Sequence, residues 1–193
     1  MYVYDMNHTP IAFIDSLDAR KHIALFYDES EYARLIEFRF LKNGLVKGEQ
    51  CVYATEEDSG TIILKMLSYG IPLKYFERKK IRVYQIHNSF TNSHELMENC
   101  KNNIGMILAD LQSPFRIVSR IVSDVSTLNG MTVELEFERE THYHFDKWEG
   151  SVMCPYDLSK VETSRRKEWL AELHENHHEV IYAQKFAHEE ILF

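Results

Sequence analysis

The stretch His22-Ile-Ala-Leu-Phe-Tyr27-Asp28-Glu29-Ser30-Glu31 decides the fold of this chain. Its first six residues form a largely apolar run of strand length, the pattern of a strand that is buried on both faces. The acidic and hydroxyl residues that follow are typical of a helix N-terminus, where they cap free backbone N–H groups. Apolar residues then recur mostly three and four positions apart over 32–46. The stretch therefore predicts a buried strand that leads directly into a helix.

The same alternation of strand and helix continues along the chain. The segment 131–147 carries both a strict alternation and helical spacings, and its length favours a helix. Strands that alternate with helices imply a three-layer α/β fold, with a mostly parallel central sheet and helices on both faces. Further strands are predicted at 50–55, 80–86, 115–124, 151–156 and 180–183, and further helices at 59–69, 93–111 and 164–174.

Length and composition restrict the class of protein. The 193 residues contain no linker long enough to separate two domains, so we expect one domain over 1–193 with an N-terminal extension at 1–20. The net charge of −8 disfavours direct binding to nucleic acid or to an anionic membrane. Three separated cysteines give neither a disulfide framework nor a zinc ribbon. With no signal peptide or membrane span in the pattern, a cytoplasmic protein is expected.

Polar side chains follow several of the predicted strands. Ligands of a parallel sheet bind beyond the carboxyl ends of its strands, where the loops converge. The alternative is that these acids cap the helices that follow, and capping is the favoured interpretation for Asp28 and Asp58 taken alone. We expect the strand-end residues to converge on one crevice, with a ligand at Tyr27, Glu56, Asp124 and Tyr156. The strand-end residues are Tyr27-Asp28, Thr55-Glu56-Glu57, Ser123-Asp124 and Cys154-Pro155-Tyr156-Asp157.

One block of the sequence resembles the KaiC branch of the RecA-type ATPases. It reads Phe40-Leu41-Lys-Asn43-Gly44-Leu45-Val-Lys47-Gly48-Glu49-Gln-Cys-Val52-Tyr53-Ala-Thr55-Glu56-Glu57, and the similarity continues through Tyr69-Gly70-Ile-Pro72. The resemblance implies that the paired glutamates correspond to those that position the attacking water. It also places Asp124 where that family has its Walker B aspartate.

The phosphate-binding loop of that family is not present in this sequence. Counting back from the block, Ala33 takes the position of the Walker A lysine and Arg34 that of the neighbouring threonine. A phosphate loop needs glycines, a lysine and a magnesium-binding hydroxyl, whereas 27–32 supplies three carboxylates that repel a triphosphate. We therefore expect a RecA/KaiC-like fold without a Walker A loop and without tight ATP binding.

Over nearly its whole length the chain resembles the MEDS domain, a degenerate relative of KaiC and a sensory module of methanogens and methylotrophs. The matching residues are His22 with Phe26-Tyr27, the block from Phe40-Leu41 to Tyr53, Cys154-Pro-Tyr156-Asp157 and a helix end at 170–177. The resemblance implies a non-enzymatic domain that senses a small-molecule signal or a regulatory protein. It would act on a separate histidine kinase or transcription factor, since the chain has no room for an output domain, and it would form a homo-oligomer in one interpretation.

These arguments give a set of candidate ligand-binding residues and no catalytic residue, cofactor or metal. The candidates are His22, Tyr27, Asp28, Glu56, Glu57, Asp124, Cys154, Tyr156 and Asp157. An atypical KaiC-like ATPase is the first alternative to a sensory domain.

A zinc-dependent hydrolase is the second alternative. His174-Glu175-Asn176-His177-His178 matches H-E-x-x-H, in which two histidines one helical turn apart bind zinc. Asn176 favours helix termination, so His174 and His178 are not expected to share a helix face. Gln184 stands where a third histidine ligand would fall. His142 and His144 are expected to face solvent, and Cys154 is expected to be a packed strand cysteine.

Overall fold

A single parallel sheet forms the centre of the molecule. The computed structural model describes residues 9–18, 20–86, 93–121 and 124–184. Within these ranges the sheet has six strands in the order β3-β2-β4-β5-β1-β6, and every neighbouring pair is parallel. The three-layer α/β prediction is confirmed. The strands are β1 (His22–Tyr27), β2 (Gln50–Thr55), β3 (Ile81–Gln85), β4 (Phe115–Ser119), β5 (Gly150–Asp157) and β6 (Glu179–Ala183).

Helices cover both faces of the sheet. Helices α1 to α4 pack on one face and α5 to α7 on the other, and each layer has its own apolar core. None of the described helices combines the length and the apolar character needed to cross a membrane. The helices are α1 (Pro10–Ser16), α2 (Ser30–Val46), α3 (Ser59–Ser68), α4 (Lys74–Glu77), α5 (Ser93–Ala109), α6 (Leu128–His144) and α7 (Arg166–Glu175).

The central position of β1 in the sheet explains why its sequence is apolar at nearly every position. All six of its residues are buried, because the strand lies between β5 and β6 and is covered on both faces. Ala24 and Phe26 point into one core, and Ile23 and Leu25 point into the other. A central strand of a parallel sheet therefore lacks the alternation of polar and apolar residues that a half-exposed strand shows.

In two segments the sequence pattern was ambiguous or misleading about secondary structure. Residues 131–147 lie mainly in α6, so the helix that their length favoured is confirmed. The strand predicted at 115–124 ends instead at Ser119, and the N–H of Arg120 makes a last hydrogen bond to the carbonyl of Ala54. The apolar residues beyond Arg120 had favoured strand, but Ile121 and Val125 are buried as loop residues of the core.

The N-terminal extension includes an ordered helix. Within the described residues of 1–20, α1 begins after Thr9, whose hydroxyl accepts a hydrogen bond from the N–H of Ala12. Ile14 and Leu17 are buried in the core on the α2 side of the sheet. Sequence patterning did not predict this helix because it spans only seven residues.

Candidate functional site

The turn between β1 and α2 is short and acidic. It contains two residues, Asp28 and Glu29, before α2 begins at Ser30. Glu29 is the N-cap residue, and its side chain makes no capping hydrogen bond. A phosphate loop places several residues, including glycines, between strand and helix so that backbone N–H groups surround the phosphate. This turn is too short and too acidic for that arrangement.

An ionic network lies beside this turn, on the face of the sheet covered by α2. At its centre the Arg120 guanidinium pairs with both carboxylate oxygens of Glu37, with an Nε–Oε2 distance of 3.1 Å. Arg120 Nη1 also donates to the Tyr27 hydroxyl at 2.8 Å. We call this group the arginine network, and its members are Tyr27, Arg34, Glu37, Tyr53, Glu57 and Arg120.

Arg34 is paired with other members of the arginine network. The Arg34 guanidinium contacts the Tyr53 hydroxyl and forms an ion pair with Glu57. Tyr53 in turn donates to Glu37 Oε2 at 2.7 Å, and burial raises the pKa of Tyr53 above its ordinary value. Although burial opposes a charged Arg120, the neighbouring Glu37 carboxylate holds the pKa of Arg120 above its ordinary value. Both arginines are thus committed to carboxylates of this chain.

A second polar group lies on the opposite face of the sheet, under α6. We call it the histidine cluster, and its members are His22, Glu138, Cys154 and His177. All four side chains are buried, and each offers one donor atom within 4.8 Å of the others. His22 Nε2 lies 3.0 Å from Glu138 Oε2 and 3.6 Å from Cys154 Sγ. His177 Nε2 lies 3.5 Å from Glu138 Oε2. This is the set of described residues that could hold a metal ion.

Neighbouring groups orient the histidine cluster and set its charge. Tyr156 donates its hydroxyl hydrogen to Glu138 Oε1 at 2.7 Å, and His177 Nδ1 lies 2.8 Å from the carbonyl oxygen of Leu173. Burial lowers the pKa of His177 to about 3 and raises that of Cys154. Burial alone would raise the pKa of Glu138, but the hydrogen bond from His22 and the charge of His177 hold it below its ordinary value.

The structure divides the predicted strand-end site between the two faces of the sheet. Tyr27 points into the core on the α2 side, whereas Tyr156 points into the core on the α6 side. The single crevice predicted from Tyr27, Glu56, Asp124 and Tyr156 is therefore wrong, since the sheet itself separates the two tyrosines. Strand residues two apart share a face, and this pattern could have separated them if the register of β1 and β5 had been known.

The candidate residues fall into three groups in the structure. Tyr27 and Glu57 belong to the arginine network, and His22, Cys154 and Tyr156 lie in or against the histidine cluster. The remaining four are carboxylates in the turns that follow strands. Two of these accept hydrogen bonds within their turns, Asp124 from the N–H of Ser126 and Asp157 from that of Ser159, but neither caps a helix, since the N-cap residues of α6 and α7 are Thr127 and Arg165. The other two are Asp28 and Glu56, both exposed.

The H-E-x-x-H sequence does not form a zinc-binding helix face. Helix α7 ends at Glu175, so His178 lies outside it, as the sequence predicted. His174 Nε2 lies instead 2.7 Å from the Tyr182 hydroxyl. The sequence analysis missed His177 and Glu138. Glu134 and Glu138, four apart on the buried face of α6, were the available signal, since buried carboxylates need partners.

A groove lies between α6 and α7, beside the histidine cluster. Its cavity measures about 170 Å³. The indole of Trp169 separates it from Tyr156, packing edge-on against that ring at 5.3 Å and donating Nε1–H to the carbonyl of Met131. The groove thus combines apolar walls with an ion pair between Arg139 and Glu172. Its lining consists of Leu128, Met131, Thr132, Leu135, Arg139, Arg165, Trp169 and Glu172.

Strand order, parallel pairing and helices on both faces of the sheet define a three-layer α/β domain of RecA/KaiC-like fold, in which an acidic turn joins β1 to α2. The chain belongs to the MEDS family, the methanogen/methylotroph, DcmR sensory domain, which matches residues 21–178. Membership gives the chain a sensory role in signalling.

Solved structures agree with this fold. A KaiC-like protein from the hyperthermophilic archaeon Pyrococcus horikoshii OT3 is similar at 15% identity and a TM-score of 0.52, over 78% of this chain and 67% of that one. An uncharacterized protein from Pyrococcus horikoshii, crystallised in complex with an unknown peptide, is similar at 16% identity and a TM-score of 0.50. That match spans 86% of this chain and 78% of the other. No curated protein matches the chain.

Proposed function

We propose that this chain is a non-enzymatic sensory domain that binds a small molecule, does not use ATP, and regulates a separate histidine kinase or transcription factor. The observation that carries the proposal is the two-residue acidic turn between β1 and α2. In an ATPase of this fold the same turn would have to surround a phosphate.

Electrostatics support the loss of nucleotide binding. Two like charges about 4 Å apart repel by about 4 kcal/mol at the effective dielectric constant of a protein surface. A triphosphate at this turn would meet Asp28, Glu29 and Glu31, whose carboxylates it cannot pair with. Arg34 does not compensate, because its side chain is buried and paired with Glu57. Each of these contributions opposes binding.

The groove between α6 and α7 is our proposed site for the signal molecule. A cavity of about 170 Å³ accommodates a small molecule. The apolar side chains of Met131 and Leu135 favour a largely apolar ligand, and the exposed ion pairs Arg139–Glu172 and Arg165–Glu168 offer hydrogen bonds to a polar group at its end. The indole of Trp169 connects the groove to Tyr156, so a bound molecule would press on the core of the domain.

Calorimetry with magnesium-ATP tests the absence of nucleotide binding. We expect no heat of binding at millimolar nucleotide with the full chain. A dissociation constant below about 1 mM, equivalent to more than about 4 kcal/mol of binding free energy, would refute this part of the proposal. Arg34→Ala serves as the companion variant: if nucleotide does bind through Arg34, the variant will bind it less tightly.

Thermal denaturation with a panel of small metabolites tests the groove. A ligand that binds the native state raises the melting temperature, and Thr132→Trp should abolish the rise by filling the groove. Glu136→Trp is the matched control, because residue 136 is exposed on the same helix and outside the groove lining. A rise that survives Thr132→Trp would move the site elsewhere, to the exposed carboxylates Asp28, Glu56 and Asp124.

Native mass spectrometry of the same sample tests the predicted homo-oligomer, which a monomer mass would contradict.

A further inference from the structure

The histidine cluster assembles four ligand-type side chains from distant parts of the sequence. His22 begins β1, Cys154 lies within β5, Glu138 lies on α6, and His177 follows the end of α7. Each is at least nine-tenths buried, with exposed fractions between 0% and 6%. Imidazole, thiolate and carboxylate are the groups that bind zinc in proteins. No pair of these residues is close in sequence, so the tertiary fold alone brings them together.

Two distances within the cluster match those between ligands of one metal ion, and all four donor atoms lie within 4.8 Å of one another. Zinc–nitrogen, zinc–oxygen and zinc–sulfur bonds of 2.0–2.3 Å in a tetrahedral site place neighbouring ligand atoms about 3.3–3.7 Å apart. The distances from His22 Nε2 to Cys154 Sγ and from His177 Nε2 to Glu138 Oε2 are 3.6 Å and 3.5 Å. The distance from His22 Nε2 to Glu138 Oε2 is 3.0 Å. Small side-chain rotations would bring all four donor atoms to one centre.

Hydrogen bonds from neighbouring groups direct His177 Nε2 and Glu138 Oε2 to the centre of the cluster, where a cation would bind. The carbonyl of Leu173 can only accept, so His177 donates to it from Nδ1 and directs Nε2 towards Glu138. Among the described residues, His177 Nε2 has no hydrogen-bond partner, and Glu138 Oε2 faces both imidazoles, at 3.0 Å from His22 Nε2 and 3.5 Å from His177 Nε2. Tyr156 holds the other carboxylate oxygen of Glu138, which leaves Oε2 pointing to the centre. Partners of this kind commonly orient metal ligands.

Charge balance favours a divalent ion over a vacant polar core. A thiolate at Cys154 and a carboxylate at Glu138 supply two negative charges, and both histidines are neutral as ligands. A divalent ion therefore gives a centre with no net charge, which removes much of the cost of burying Glu138 as an ion. The thiol proton of Cys154 passes to solvent when the metal–sulfur bond forms.

We propose that His22, Glu138, Cys154 and His177 bind one zinc ion in a closed, four-ligand structural site. The thiolate and the two imidazoles select a borderline transition metal and disfavour magnesium and calcium, which prefer six or more oxygen ligands. Because protein ligands fill all four positions, the ion has a structural role and holds β1, β5, α6 and the segment after α7 together. This site is distinct from the H-E-x-x-H arrangement, since His174 and His178 are not ligands.

Metal analysis of the purified full chain is the first test. We expect about one equivalent of zinc per chain, or its uptake after dialysis against zinc at micromolar concentration. Replacement by cobalt should give the visible bands of tetrahedral cobalt and a thiolate-to-cobalt charge-transfer band. Failure to bind either ion in folded protein would overturn the proposal.

Variants assign the ligands. Cys154→Ser should abolish the charge-transfer band and weaken zinc binding more than a hundredfold. Cys51→Ser is the matched control, because Cys51 is also a buried strand cysteine but lies in the opposite core and donates to Leu41. An unchanged charge-transfer band in Cys154→Ser would refute the assignment.

A gentler variant keeps the test decisive if Cys154→Ser does not fold. Tyr156→Phe removes only the hydroxyl that orients Glu138, so we expect zinc affinity to fall about 10–100-fold while the cobalt–thiolate band persists. Competition with a chromophoric chelator measures this change in folded protein. Equal affinity in the wild type and in Tyr156→Phe would show that Glu138 is not held for a metal.

Discussion

Removing the Arg120 side chain tests whether the arginine network is a buried ion pair on which the fold depends. Glu37 is fully buried, and it pairs with Arg120 through two guanidinium nitrogens. Arg120→Ala therefore leaves a carboxylate in the core without its main partner, a change that typically costs 3–5 kcal/mol. Because Arg34 Nη1 remains 3.9 Å from Glu37 Oε2, we expect the lower end, about 3 kcal/mol.

Arg39, on the same helix as Glu37, supplies the control. Arg39 also forms a two-point pair, with Asp15 at 2.7 Å and 2.9 Å, but these side chains are 44% and 37% exposed. Exposed pairs of this kind contribute about 0–1 kcal/mol, so Arg39→Ala should have little effect. For a chain of this length, 1 kcal/mol lowers the melting temperature by about 2–4 °C, which predicts about 6–12 °C for Arg120→Ala.

Urea denaturation followed by circular dichroism measures both free energies of unfolding, with the denaturant slope as a check on two-state behaviour. A double variant adds a stricter test. Glu37→Gln combined with Arg120→Met removes both charges, and it should recover at least half of the stability lost in Arg120→Ala. Equal losses for Arg120→Ala and Arg39→Ala would refute the reasoning, and so would a double variant no more stable than Arg120→Ala.

Two further predictions concern helices. An added Cβ at Gly130 would lie 2.0 Å from the carbonyl oxygen of Asp124, so Gly130→Ala should lower the free energy of unfolding by about 3 kcal/mol. Gly105 lies at an exposed helix position with open space around it, so Gly105→Ala should raise the free energy of unfolding by up to about 1 kcal/mol. Asp58 caps α3 by accepting from the Thr61 N–H, which lowers the pKa of Asp58 below its ordinary value of 3.8. The stabilisation is fully present above pH 3.8 and is lost as the pH falls through the lowered value, so the destabilisation by Asp58→Ala, measured by urea titration, should shrink in acid.

Local periodicity predicted the fold because each element carries its own signal. The five apolar and aromatic residues of β1 that follow His22, and the apolar spacing of α2, indicate a buried strand and a helix from local sequence alone. Element ends were harder to predict. The apolar run that contains Ile121 resembles a strand, although the ladder ends at Ser119 because the chain leaves the sheet there.

The sequence indicated only some residues of the histidine cluster, because contacts between distant parts of the chain leave no local pattern. The sequence selected His22 and Cys154 as candidate ligand-binding residues, but their neighbour Glu138 lies on a helix that the sequence described ambiguously. His177 was read as part of H-E-x-x-H, and only the end of α7 at Glu175 shows that it turns inwards instead. Such a site depends on which face each residue occupies, and that is a property of register.

The arginine network and the histidine cluster lie at opposite ends of β1, and they differ in how completely their polar atoms are paired. Tyr27, at the carboxyl end of β1, belongs to the arginine network, in which every charge has a partner within the chain. His22, at the amino end, faces Glu138 in a cluster in which His177 Nε2 lacks a hydrogen-bond partner among the described residues. A polar core whose groups lack hydrogen-bond partners is less stable than an apolar core of the same shape. The arginine network is therefore complete without a ligand, whereas the histidine cluster reaches full pairing only with an ion at its centre.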